Sequence, residues 1–152
     1  MIRPTTLADT TALLAIAAVI GFEPAELNLL HQLLNDGFSD DSASLCLADD
    51  DEHHGPVGVA YCEPERMTDQ TWNLQLIAMH PDHQGQGRGG QLLHHVEATL
   101  KARGGRLLMV ETLASFDQAR AFYLKNGFEE EARIRDFYAP GQDKIVFRKD
   151  LK

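Results

Sequence analysis

The stretch at residues 80–90, His-Pro-Asp-His-Gln-Gly-Gln-Gly-Arg-Gly-Gly, constrains this chain more than any other. An apolar run at residues 71–80 precedes it, and Leu92, Leu93, Val96 and Leu100 follow at helical spacing. The chain therefore sets a strand, a glycine-dense loop and a helix in succession. Glycine lets backbone N–H groups turn inward and approach a ligand closely. The helix start adds about half a positive charge. Together they make a site for a phosphate or pyrophosphate. A loop that only had to turn would not need so many glycines.

The flanking elements define the fold class. A short strand at Ile2 and Arg3 ends at Pro4. Thr6 with Asp9 reads as a capping box for a first helix reaching Gly21. Pro24 opens a second helix, with Leu27, Leu30 and Leu34 on one face and Gly37 as its stop. Residues 44–48 and 57–63 read as a hairpin around a polar turn at 49–56. After the loop and its helix, which ends at Gly104 and Gly105, residues 106–111 form a short apolar strand suited to a buried parallel position. Ser115 with Gln118 reads as a capping box for a helix ending at Asn126 and Gly127. Strands at 128–138 and 144–149 flank the turn Ala139-Pro140-Gly141. The order is β-α-α-β-β-β-α-β-α-β-β. This is an α/β chain with a mixed α+β sheet: its early and late strands pair as hairpins, and its middle βαβ crossover is parallel.

At 152 residues the chain fits one domain over 1–152, with a core large enough to need neither disulfides nor metals. A net charge of −9 argues against a general nucleic-acid or anionic-membrane binder. It fits a cationic acceptor only weakly, because acidity also serves solubility. Cys46 and Cys62 lie in strand-like runs outside any CxxC pair and read as buried reduced thiols. The apolar run 13–20 follows polar residues and is too short to span a bilayer, so the expected location is the cytoplasm. His53-His54 and His94-His95 are adjacent pairs without the i,i+4 spacing of a helical zinc site, so solvated histidines and no metal are expected.

Two nucleotide folds compete for the loop. Gly85, Gly87 and Gly90 satisfy G-x-G-x-x-G, and Glu111 ends the next strand where a ribose-binding acid would sit. Against that reading, the insert at 81–84 separates the strand from the first glycine, and the surrounding strands pair as hairpins. A P-loop is excluded because no Gly-Lys-Ser/Thr follows.

The spacing Gln84-x-x-Gly87-x-Gly89 resembles the pyrophosphate loop of the GNAT family of N-acetyltransferases. The resemblance extends over residues 74–103. It resumes at Ala121-Phe122-Tyr123-Leu124-Lys125-Asn126-Gly127-Phe128, which looks like that family's tyrosine-bearing segment. The element order matches as well. The resemblance implies a GNAT-like fold and transfer of acetyl from acetyl-CoA, as cosubstrate, to an amine. It implies that the main chain of Ile77, Ala78 and Met79 binds the pantetheine arm, and that Gln84, Gly85, Gln86, Gly87, Arg88, Gly89 and Gly90 bind the pyrophosphate. Ala119 and Phe122 would line the arm. Tyr123 would be the general acid for the departing thiolate. Glu111 is the first candidate for the base, with His80 and a water relay as alternatives. One departure stands out: Phe116 sits where the family often has an asparagine. A non-catalytic acyl-CoA sensor or interaction module on the same fold remains the alternative, and the acceptor, the acyl-chain preference and a homodimer are left open.

Overall fold

A strand of buried apolar residues belongs inside a sheet, and a strand of charges belongs at its edge. The last hairpin follows that rule. The computed structural model describes residues 1–37 and 43–152. Its strands are β1 (Ile2–Pro4), β2 (Leu45–Asp51), β3 (Gly55–Pro64), β4 (Thr71–Met79), β5 (Leu107–Leu113), β6 (Glu129–Ala139) and β7 (Gln142–Asp150). Its helices are α1 (Thr10–Val19), α2 (Pro24–Gly37), α3 (Arg88–Ala102) and α4 (Asp117–Lys125). The sheet order is β1-β2-β3-β4-β5-β7-β6. β7 inserts between β5 and β6 because it carries the buried run Ile145, Val146 and Phe147. β6, with Glu129, Glu130 and Glu131, takes the edge and is exposed along its length until the half-buried Ala139 at its end.

The pairings are antiparallel except β4 with β5, the expected parallel crossover through α3. Each face of the sheet has its own core. On one side Leu92, Leu93, Val96 and Leu100 of α3 pack with Leu74, Leu108, Val110 and Phe147. On the other, Leu13, Ile16 and Ala17 of α1 and Leu30 and Leu34 of α2 cover Val59 and Ala78. Burying each such leucine contributes about 1.5–3 kcal/mol.

Two local expectations change. Asp49, Asp50 and Asp51 are strand residues of β2, not part of a turn. Aspartate is a poor strand former alone, but here each carboxylate has a cationic partner in Arg3 or Arg88. The first helix is preceded by a 3-10 turn at Leu7–Asp9, and the Thr6 N–H donates to Asp9 Oδ2 at 2.7 Å. Arg3 clamps that carboxylate through two bonds of 2.8 and 2.9 Å. The Arg3 hydrogen bonds, leading over smaller effects, hold the Asp9 carboxyl down at about 2. Among the described residues no helix is long and apolar enough to cross a membrane.

Candidate active site

The site begins where two parallel strands stop pairing. β4 and β5 are in register from Thr71–Leu107 to Leu74–Val110. Beyond that point β4 runs on to Met79 and β5 to Leu113 without pairing to each other. The cause is a bulge: Leu74 faces Cys62 and Leu76 faces Tyr61, so Gln75 is an extra residue on β4. A bulge bends its strand and increases its twist. It also flips the strand's faces. Leu74 lies in the α3-side core and Leu76 packs with the α1/α2 side. The two strands therefore part, and Ile77, Ala78 and Met79 line one wall of a cavity of about 970 Å³.

The glycine loop forms the next wall, and its glycines divide into two kinds. Gly85 and Gly87 have φ of +74° and +78°, the left-handed region that favours glycine. A Cβ on either would meet nothing within 4 Å, so packing is not what excludes a side chain there. Gly89 and Gly90 instead face α4. A Cβ on Gly89 would sit 3.5 Å from Phe122, and one on Gly90 3.4 Å from Asn126 Oδ1. The Gln84 side chain anchors the loop by donating to the Met79 carbonyl at 2.9 Å. His80 fixes its start, with Nδ1 accepting from the Asp82 N–H at 3.1 Å. α3 has no side-chain cap, so its first-turn N–H groups are left to a ligand or water. Gln84, Gly85, Gly87, Gly89 and Gly90 all line the cavity.

The Arg88 side chain is held by two carboxylates. Its Nε donates to Asp49 Oδ2 at 2.7 Å, Nη2 to Asp49 Oδ1 at 3.0 Å and Nη1 to Asp51 Oδ2 at 3.0 Å. This forked pairing ties the start of α3 to the end of β2. It holds the Asp49 carboxyl below the usual range. The Asp51 carboxyl is lowered too, by the His54 side chain first and then by the His53 N–H and Arg88. The guanidinium is engaged with carboxylates, and neither Arg88 nor Gln86 is among the residues lining the cavity. What Arg88 offers a ligand is its main-chain N–H in the first turn of α3.

The third wall is α4. Ala119, Phe122 and Tyr123 line the cavity, as does the exposed Phe116 at the helix start. Tyr123 packs edge-on against Phe122 and Phe128, with centroids 5.5 and 5.6 Å away, and against Phe147 at 5.5 Å. Burial pushes its hydroxyl up to about 12. The phenol therefore stays protonated across the neutral range and can act as a proton donor. The Ser115 capping box does not form. Phe116 is the N-cap residue, without a side-chain cap bond, and Arg120 Nη1 donates to the Ala114 carbonyl at 2.9 Å. Phenylalanine has no oxygen to offer the first turn.

Glu111 lies outside the lining of this cavity, two residues before the end of β5. Its Oε2 is 2.9 Å from Lys144 Nζ, and that ammonium lies 4.0 Å from the centre of the Phe137 ring. Tyr138 is near enough for Glu111 to help raise its hydroxyl, after burial. Sequence reasoning missed the wall residues Ile20, Gln118, Ala121, Lys125 and Asn126. Lys125 and Asn126 lay within the quoted tyrosine segment, so its register on a helix beside the glycine loop was the available signal. The thiols are free, with Cys62 buried, and burial pushes Cys46 up to about 11. Among the described residues no group of three or more His, Cys, Asp or Glu is arranged to hold a metal.

Comparison with known proteins adds to this geometry. The family described as Acetyltransferase (GNAT) domain matches residues 41–130. A GNAT-family protein from Desulfovibrio desulfuricans has the same fold at a TM-score of 0.92. It is 28% identical, with 100% of this chain and 99% of that chain covered. The Salmonella typhimurium protein yncA, solved with its cofactor acetyl-CoA, superposes at 0.82. It is 18% identical over 100% of this chain and 94% of its own, which speaks for the fold alone. The [ribosomal protein bS18]-alanine N-acetyltransferase of Escherichia coli K12 is 45% identical over 67 residues, 44% of this chain and 45% of that protein. The matches span less than half the length of the curated relatives. The family match covers more than half of this chain, from β2 through α4 and so across all three cavity walls, and the chain belongs to the GNAT acetyltransferase family.

Proposed function

We propose that this chain transfers an acetyl group from acetyl-CoA to an amine, and that the amine is the N-terminus of a protein or peptide. The observation that carries the transfer is the parting of β4 from β5 over a cavity walled by the glycine loop and Tyr123. The cavity suits the cosubstrate. Ile77, Ala78 and Met79 offer strand backbone that β5 does not use, and a pantetheine amide can pair with it. The space beside Gly85 and Gly87 is open enough for phosphate to approach the main chain. Acetyl-CoA supplies an activated thioester.

The chain's own residues then divide the proton work. Tyr123 donates its phenolic proton to the sulfur as the carbon–sulfur bond breaks. A base must take the proton that the attacking amine loses. Glu111 is our candidate, acting through water, since its carboxylate is already held by Lys144. Gln84 keeps the loop in place, and the α3 N–H groups oppose the phosphate charge.

The likeness to the bS18-alanine enzyme, at 45% identity over 67 residues, favours a peptide amine. The net charge of −9 adds only weak support for a basic protein target, because acidity also serves solubility. The same charge speaks against nucleic acid and anionic membranes as partners. Free cysteines fit the reducing cytoplasm as the place of action. Free-thiol release from acetyl-CoA, screened against peptides with different N-terminal residues, aminoglycosides and simple amines, tests the proposal. Release should depend on a peptide and produce an acetylated N-terminus by mass spectrometry. Binding of acetyl-CoA without turnover on any acceptor would instead support the sensor reading.

A further inference from the structure

Glu111 is the first residue of β5 beyond the last position paired with β4, Leu74–Val110. It therefore stands where the two strands part. Side chains alternate along a strand. Val110 belongs to the α3-side core, so Glu111 points to the opposite face of the sheet. Its carboxylate is held by a lysine from another strand. Lys144 of β7 is buried, and its Nζ is 2.9 Å from Glu111 Oε2. A buried ammonium is costly unless paired. An apolar residue would fill the place at less cost, as Ile145, Val146 and Phe147 do beside it. The hairpin around Lys144 is irregular. β6 loses register between Ile134 and Ala139, and Asp136 takes φ of +57°, uncommon for a non-glycine residue. Asp136 is fixed there from two sides. Its N–H donates to Asp143 Oδ1 at 2.9 Å, and its own Oδ1 accepts from the Gly141 N–H at 2.8 Å. Asp143 Oδ2 in turn accepts from Arg133 Nε at 2.7 Å. This irregular stretch lays Phe137 over Lys144, with Nζ 4.0 Å from the ring centre. Strain held by several contacts collects at functional sites.

We infer that Lys144 is a positioning residue for the proton-accepting step: it holds Oε2 of Glu111 so that Oε1 is presented to the water that takes the amine's proton. This rests on the proposed transfer with Glu111 as its base. Single-turnover rates with acetyl-CoA and a short peptide bearing an N-terminal alanine compare the native chain with Lys144→Met, Lys144→Arg, Glu111→Gln and the double variant. Glu111→Gln should slow transfer about 100-fold. Lys144→Met should slow it about tenfold, because a misplaced base loses its orientation, while the KM for acetyl-CoA stays unchanged. Lys144→Arg should recover most of the rate, since it keeps a charged donor for Oε2. In the Glu111→Gln background, Lys144→Met should add no further loss, because both act through one group. Thermal melting checks the fold, and Lys144→Gln takes the place of Lys144→Met if that variant does not melt cooperatively. A native rate in a folded Lys144 variant, with Glu111→Gln slow, overturns the inference and leaves the base standing. The same tenfold loss in both backgrounds also overturns it, because Lys144 would then act apart from Glu111. A native rate in Glu111→Gln overturns the base and the inference together, as does a native chain that transfers nothing to the peptide.

Discussion

The centre of the sheet and the region around α1, α2 and the β6–β7 hairpin would solve different binding problems. The centre, from β4 through the glycine loop to α4, would hold the cosubstrate. It does so largely with main chain: a parted strand edge and uncapped N–H groups. The other region, formed by α1, α2 and the β6–β7 hairpin, would meet the acceptor with side chains. There β6 breaks register between Ile134 and Ala139, Asp136 takes φ of +57°, and Phe137 covers Lys144. Main-chain recognition demands glycine and therefore marks the sequence. Side-chain recognition can use almost any residue and marks it little.

The largest expected effect separates chemistry from binding at the centre. Tyr123→Phe should lower the single-turnover rate by ~10²–10⁴-fold. Acetyl-CoA affinity should change little, because the ring and its packing remain. Since burial pushes the hydroxyl up to about 12, the native rate should show no loss of this acid up to about pH 10. A native rate in Tyr123→Phe would make the residue structural and leave the cosubstrate in place.

Gly87→Asp attacks the same region through binding. It forces a side chain onto a residue at φ +78° and puts charge where phosphate is expected. Acetyl-CoA affinity should fall by about 100-fold or more in a domain that still melts cooperatively. Unchanged affinity, measured by titration, would take the loop out of the site.

Acid should weaken the tie between β1 and the turn before α1. Arg3 and Asp9 join β1 to the turn before α1. The Asp9 carboxyl titrates at about 2 in the fold against an ordinary 3.8. A depressed carboxylate contributes fully above its unfolded value and loses that contribution as pH falls through the folded one. The loss should reach about 2 kcal/mol between pH 5 and pH 1. Urea melts of the native chain and Asp9→Asn across that range check it: the variant should lack this part of the slope.

The smallest effect isolates the hairpin. Phe137→Ala removes the ring over Lys144 and should raise the KM for the acceptor about threefold to tenfold. Acetyl-CoA affinity should stay unchanged. A shift in cosubstrate affinity instead would show that the two regions are not separate.

What was legible followed from local rules. The element order, the parallel β4–β5 step and the cavity-lining glycines all came from periodicity and turn chemistry. What was not legible depended on contacts distant in sequence. Asp49 to Asp51 read as a turn because their partners, Arg88 for Asp49 and Asp51 and Arg3 for Asp50, lie 37 or more residues away in sequence. The carboxylate partners of Arg88 were hidden for the same reason. The Gln75 bulge has no local signature, although it opens the site. Ser115 offered a cap that Phe116 displaced. Glu111 lies two residues before the end of β5 rather than at it, and its Lys144 partner lies on β7, which no rule of spacing along β5 reveals.

The central claim is that the space between β4, the glycine loop and α4 is an acetyl-CoA site. Thermal melting with acetyl-CoA and, separately, with NAD tests it most directly. A ligand at 100 times its Kd adds about 2.7 kcal/mol to the native state. For a chain of this size that corresponds to a rise in Tm of roughly 5–10 °C. The account predicts that rise with acetyl-CoA and none with NAD. A rise with NAD and none with acetyl-CoA would contradict it and return the loop to the dinucleotide reading.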